Sequence, residues 1–320
     1  MAGAPRDRLH TLRRAVGAAV VDGFFRGASR AGALHPRADP RAHGVERIRD
    51  VPYRDGGGRA HRLDVYRPSG PGPHPVLLYI HGGGFRILSK DTHWIMALAY
   101  ARRGYLVFNA EYRLAPEHPF PAGLDDTCAA WEWVLANAAR YGGDPSRVVV
   151  AGESAGANLV TALAAATCYE RPEAYARRVF DAGVVPRAVV ASCGIFQVTD
   201  TLRYRRDHAL PWWIADRMEE VTDAYLGGSS AESFDLADPL CLFERGELPA
   251  RPLPPFFLPV GTADPLLRDT RRMALALEAL GATAEARYYP GGIHAFHAFV
   301  WRPEARRCWN DTYDFLHRHG

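Results

Sequence analysis

Short apolar runs recur along the chain, and segments with apolar residues three or four apart separate them. The runs are PVLLYI (75–80), YLVFNAEY (105–112), VVVAG (148–152), AVVASCGIF (188–196), PFFLPVGTAD (255–264) and ARYYP (286–290). Their length and β-branched content predict buried strands. DTHWIMALAYARRG (91–104) predicts a helix opened by Asp91 and closed by Gly104. Within 124–143, Cys128, Trp131, Leu135 and Ala138 share one helical face, and Asp125 and Asp126 favour its N-terminus. The alanine-rich stretch from Ala155 predicts a further helix. Met273, Leu277 and Leu280 mark another, ending at Gly281, and a last one starts near Pro303. Strands alternating with helices imply an α/β fold: a mostly parallel central sheet with helices on both faces.

Three stretches break this rhythm. Residues 1–45 read as a helix and a polar, proline-containing linker. VPYRDGGGRAHRLDVYRP (51–68) alternates around three glycines and predicts a β-hairpin. Residues 197–250 are aromatic and charged, helical in places, with loops between. The division that follows is a core of 46–196 and 251–320, with 1–45 and 197–250 added to it. Both additions fit over the end of the sheet where strand C-termini carry a site.

Composition narrows the partners. The 320 residues are 48% hydrophobic and 23% charged, as in ordinary soluble globular proteins. A net charge of +3 is too small to point to nucleic acid or an anionic membrane. The five cysteines are far apart and form no CxxC pair, which argues against a disulfide framework or zinc site and for a reducing compartment. Cys193 lies in an apolar run and reads as a core thiol. No run approaches transmembrane length. AVGAAVVDGFF (15–25) follows two arginines as a signal segment would. Asp22 interrupts it, so an amphipathic helix and a cytoplasmic location are expected.

The chemistry gathers at predicted strand ends. Gly152-Glu153-Ser154-Ala155-Gly156 fits G-x-S-x-G between a VVV strand and a helix. Such a turn lifts a serine hydroxyl above the sheet as a nucleophile. His81-Gly82-Gly83-Gly84-Phe85 follows the strand PVLLYI. The N–H groups of Gly83 and Gly84, with that of Ala155, would form an oxyanion hole, because acyl transfer builds negative charge on a carbonyl oxygen. His81 reads as a loop-orienting residue. A nucleophilic serine needs a base, and the base an orienting acid. His294, after a strand and a Gly-Gly turn, is preferred to His297, which reads as a surface or packing histidine. Asp264 ends a strand and is preferred to Asp269, whose expected role is an N-cap. The order Ser154, Asp264, His294 is the α/β-hydrolase order of a catalytic triad.

HGGGF (81–85), EYRLAPEHPFPAGLDD (111–126), GGDPSRVVVAGESAGANLV (142–160), GTADPLLRD (261–269) and GGIHAF (291–296) resemble the hormone-sensitive-lipase-like esterases of the α/β-hydrolase fold. The resemblance runs from about Val51 to the C-terminus. It implies that 1–45 and 197–250 form a helical cap over the site, and that the residues named above have the roles assigned to them. It implies a serine carboxylesterase acting on short- to medium-chain acyl esters, with no metal or organic cofactor. Arg113 and Glu117 look like structural ion-pair residues. Phe85, Trp212 and Trp213 are candidate substrate-binding residues, and Tyr225, Phe24 and Phe25 could join them in an acyl pocket. The expected partner is a small-molecule ester, with no nucleic acid and no stable membrane insertion, in a monomer or homodimer. An amidase with the same triad, such as an arylacylamide or formamide hydrolase, is the alternative. A non-catalytic small-molecule receptor on the same scaffold ranks lower, because acid and histidine are both present.

Overall fold

The computed structural model describes residues 5–56, 58–206, 211–227 and 235–320. Its sheet is built from β1 (Val45–Pro52), β2 (Arg62–Pro68), β3 (His74–Ile80), β4 (Leu106–Ala110), β5 (Gly143–Glu153), β6 (Val189–Ser192), β7 (Phe256–Gly261) and β8 (Ala284–Tyr289). The spatial order is β1-β2-β4-β3-β5-β6-β7-β8. β2 runs antiparallel to β1 and to β4, and every other pairing is parallel. The hairpin expected at 51–68 is real, with Val51 opposite Leu63, but its first strand begins at Val45.

The helices are α1 (Pro5–Ala33), α2 (Trp94–Ala101), α3 (Ala122–Asn137), α4 (Ala155–Cys168), α5 (Ala174–Asp181), α6 (Arg203–Arg206), α7 (Trp212–Leu226), α8 (Pro239–Glu244), α9 (Leu267–Ala279) and α10 (Pro303–His319). The two-residue alternation of the strands sorts side chains onto two faces. Val76, Leu78, Ile80, Val148 and Val150 pack with residues of α3, α4 and α9. Leu77, Tyr79, Val149 and Ala151 pack with residues of α2 and α10. Burial on both faces explains why the central strands read as unbroken apolar runs rather than alternating ones.

Asp91 does not open α2, which starts at Trp94. Asp91 instead faces Arg47 and Arg59. α1 is tied to the loop after β3 and to the start of α2 through polar contacts. Asp22 Oδ1 accepts from Leu88 N at 3.0 Å, and Trp94 Nε1 donates to Ser29 Oγ at 3.0 Å. Its Phe24 and Phe25 are exposed. Among the described residues, no helix is long and apolar enough to cross a membrane.

Candidate active site

β5 runs into α4 through Ser154, whose φ of 54° and ψ of −115° lie outside the comfortable regions for an L-residue. Strain of this kind persists only where the surroundings hold it. Here Ser154 N donates to Ser192 O at 2.9 Å, and Ile195 N donates to Ser154 O at 3.3 Å. The flanking glycines are required by close approach. A Cβ on Gly156 would lie 2.1 Å from Ile80 O, and one on Gly152 would lie 2.5 Å from Gly156 O. The turn therefore packs backbone directly against the end of β3.

The structure brings together Ser154, His294 and Asp264 from the ends of β5, β8 and β7. His294 Nε2 lies 3.0 Å from Ser154 Oγ, and His294 Nδ1 lies 2.9 Å from Asp264 Oδ2. The other carboxylate oxygen of Asp264 accepts from Leu266 N at 2.8 Å, which fixes the acid's orientation. Burial alone would push the His294 imidazole down in pKa. The Asp264 carboxylate outweighs that and, with the Cys193 sulfur beside the ring, holds His294 well above the ordinary histidine value.

The loop 81–85 lies beside this group. Gly83 has φ 117° and Gly84 φ 58°, values at which a side chain is strained. A Cβ on Gly83 would also lie 2.0 Å from Ile87 O. Ala155 is the first residue of α4, so its N–H has no intrahelical acceptor. His81 is fully buried, with Nε2 2.8 Å from Glu111 Oε1 and Nδ1 2.7 Å from Gly82 O, which ties the loop to the segment after β4. α7 lies across the loop. A Cβ on Gly84 would meet Val221 Cγ2 at 2.8 Å, and Arg86 pairs with Glu220.

A cavity of about 80 Å³ opens at Ser154 and His294, walled by Ile195, Met218, Val221 and Leu266. Phe85 and Trp212, expected to bind substrate, do not wall it. Phe85 is buried and stacks on Tyr225, ring centroids 3.7 Å apart, so both are spent in packing. Trp212 is 64% exposed at the start of α7 and does not wall the cavity. The Trp213 side chain lies outside the described residues. Small aliphatics took the place expected of aromatics, and helical phase explains it. Met218 and Val221 are three apart on α7, on the face turned toward the loop.

Two competitors have other partners. His297 is not at the surface: it is buried, with Nε2 2.8 Å from Glu153 Oε2, and His93 Nε2 lies 2.8 Å from Glu153 Oε1. Asp269 does not cap α9. It sits inside the first turn, buried, and accepts from Arg203 Nη2 at 2.9 Å. Sequence reasoning missed the buried Glu153 between two histidines, and its one signal was a carboxylate inside an otherwise apolar elbow. Arg113 does pair with Asp126, at 2.8 Å, while Glu117 is exposed. Cys193, expected as a core thiol, is fully buried, and it lies against the acid and the histidine.

Residues 77–298 match the family model described as alpha/beta hydrolase fold. The chain is 34% identical over 276 residues to carboxylesterase NlhH of Mycobacterium tuberculosis, covering 82% of this chain and 76% of that protein. Esterase LipW from Mycobacterium marinum superposes with a TM-score of 0.75 at 27% identity, over 93% of this chain and 88% of that one. An esterase from the bacterial hormone-sensitive lipase family superposes with a TM-score of 0.72 at 26% identity, over 100% and 99%. The chain therefore belongs to the α/β-hydrolase fold family, among the hormone-sensitive-lipase-like esterases.

Proposed function

We propose that the protein is a serine carboxylesterase acting on short- to medium-chain acyl esters. The observation that carries the reading is the continuous chain of contacts from Asp264 through His294 to Ser154 at the mouth of a cavity. In this reading Ser154 Oγ attacks the ester carbonyl while His294 Nε2 takes its proton. Asp264 holds the imidazole with its Nδ1–H inward and stabilises the cation that forms. The carbonyl oxygen becomes negative and rests on the N–H groups of Gly83, Gly84 and Ala155. His294 then protonates the leaving alcohol. Water repeats the sequence on the acyl-enzyme and frees the acid.

Acyl size follows from the cavity. At about 80 Å³ it is well under the roughly 300–1,000 Å³ that encloses a drug-sized ligand. The 1–45 and 197–250 segments act as a cap in this reading, with α7 supplying the Met218 and Val221 walls. The apolar walls also favour an ester's alkyl group over a polar substituent.

A p-nitrophenyl ester series from acetate to palmitate, run on the wild type and on Ser154→Ala, tests the proposal. Turnover should peak at short or medium chains and fall by roughly 10⁴ or more in the variant. Retention of most activity by Ser154→Ala removes the nucleophile assignment. Amides cleaved faster than esters would turn the reading to an amidase with the same triad.

A further inference from the structure

Cys193 is the first residue past β6, and it is held in an unusual way. Its φ is 40°, in the left-handed region that residues with a Cβ rarely adopt. Its N–H donates to Pro259 O at 2.9 Å, which pins it to the neighbouring strand. Its sulfur, a carboxylate oxygen of Asp264 and a ring nitrogen of His294 all lie within 4.8 Å of one another. Nothing in the proposed ester hydrolysis uses that sulfur. An outlier of the backbone beside a reaction centre, aiming a soft donor at the back of the base, is a reason to ask what it can bind.

We propose that Cys193, Asp264 and His294 form an inhibitory site for a thiophilic divalent cation, of which zinc is the probe. The donor set is one sulfur, one imidazole nitrogen and one carboxylate oxygen, a mixture that suits zinc. Tetrahedral zinc with bonds of about 2.0–2.3 Å needs its donors roughly 3.3–3.7 Å apart, so the sulfur closes on its partners by up to about 1.5 Å, while His294 Nδ1 and Asp264 Oδ2, 2.9 Å apart, open slightly. Asp264 is already oriented by Leu266 N. The charges cancel: a thiolate and a carboxylate against a dication leave a buried site neutral, as buried charge requires. Burial pushes the free thiol's pKa up and the nearby His294 pulls it back. Cation binding displaces the proton of the Cys193 thiol.

The binding step balances without any redox partner. The Cys193 S–H proton leaves to solvent and a sulfur–metal bond forms. The metal takes the His294 Nδ1 lone pair, so the proton resident on Nδ1 moves to Nε2. Asp264 Oδ2 gives up its hydrogen bond from Nδ1 and ligates instead. A His294 that carries its proton on Nε2 cannot accept one from Ser154 Oγ. Inhibition thus comes from the wrong tautomer as well as from a displaced ring. Sequence spacing hides the site, because its three donors come from the ends of three strands.

The inhibition rests on the triad reading, so the test has two arms. In the first, the metal-free full chain is titrated with zinc sulfate during hydrolysis of p-nitrophenyl butyrate. The wild type should lose at least tenfold of its rate, reversibly with EDTA. Cys193→Ala and Cys193→Ser, each measured against its own zinc-free rate, should need at least tenfold more zinc. In the second, cobalt(II) added to Ser154→Ala should give a sulfur-to-cobalt charge-transfer band that Cys193→Ser lacks. This arm reads the site with no dependence on turnover. A wild type indifferent to zinc, Cys193 variants inhibited equally, or no band in Ser154→Ala each overturns the proposal. A band without esterase activity leaves the site standing and removes the hydrolase reading instead.

Discussion

Glu153 and Ser154 are neighbours in the chain, and each meets histidine. In front of the elbow, Ser154 faces His294, which faces Asp264. Behind it, Glu153 lies between His93 and His297. His294 and His297 sit three residues apart on one loop, yet they serve opposite sides of the turn. Both regions hold a histidine–carboxylate contact, so that contact alone does not mark a catalytic centre. The difference lies at the far end of each chain of contacts. His93 passes its second nitrogen to Ser89 O at 3.1 Å, inside the fold. His294 passes its second nitrogen to a hydroxyl at an open cavity. Behind the elbow polar groups are sealed and hold the turn; in front, one group is left able to react.

The sharpest way to break this comparison is to exchange the two histidines' fates. His294→Ala should lower kcat by roughly 10⁴ or more with little change in melting temperature. His297→Ala should keep activity within about tenfold. Its melting temperature should fall by several degrees, since it leaves Glu153 with one partner fewer. Steady-state kinetics and calorimetry on the pair decide it. The reverse pattern would reassign the base.

Asp264→Asn comes next. Loss of the carboxylate should cost up to ~10⁴ in kcat, as in other triads where the tautomer is lost. It should also move the pH profile. In the proposed mechanism the base works as neutral imidazole, and Asp264 raises its pKa, so the wild-type acid limb should lie above the ordinary histidine range. Without that carboxylate the burial, which favours the neutral ring, is opposed only by the Cys193 sulfur. The residual activity of Asp264→Asn should therefore have its acid limb at lower pH. A limb that does not move would mean that His294 is not the group titrating.

Behind the elbow the expected effect is on stability. Burial would raise the Glu153 pKa, but the two histidines hold it well below the usual carboxylate range. A carboxylate with a depressed folded pKa contributes stability that is present above its unfolded value, near 4.5, and lost as pH falls through the folded value. His93 has the opposite sense: raised by Glu153 against burial, it contributes below about 6.5 and its share is lost at higher pH. Glu153→Gln should cost about 3–5 kcal/mol near neutral pH and flatten the acid side of the stability profile. Urea unfolding at several pH values measures it, and an unchanged profile would show the pairing to be energetically idle.

The front of the elbow was legible in the sequence and the back was not. G-x-S-x-G, HGGG and the strand-end Asp264 and His294 are short patterns with local causes: a tight turn, a bare backbone, a loop after a strand. Glu153 sits inside the same motif, yet its partners come from residues 93 and 297, and no local pattern predicts a pairing across that distance. Asp269 failed for the same reason, because its partner Arg203 lies in the irregular 197–250 stretch. The central strands were legible because burial on both faces leaves unbroken apolar runs. The start of α2 was not, because Asp91 looks like a cap but is held by arginines from elsewhere. For the cavity wall, aromatic bulk was the misleading cue: Trp212 is exposed and Phe85 is stacked away.

The smallest effect tests the openness of the front. Val221 presses on Gly84 and walls the cavity, so it sets both the loop's neighbour and the room for an acyl chain. Val221→Ala should raise kcat/KM for hexanoate relative to acetate, and Val221→Leu should lower it. Each shift should be about tenfold, because one or two methylene groups in an apolar pocket carry only a few kcal/mol of discrimination. The absolute rate on acetate should stay nearly level, since neither change touches Ser154, His294 or Asp264. That separation is the informative part. A change of selectivity at constant acetate turnover places the acyl group against α7, whereas an equal loss on every ester would mean that Val221 acts by holding Gly84 in place and that the chain lies along another wall.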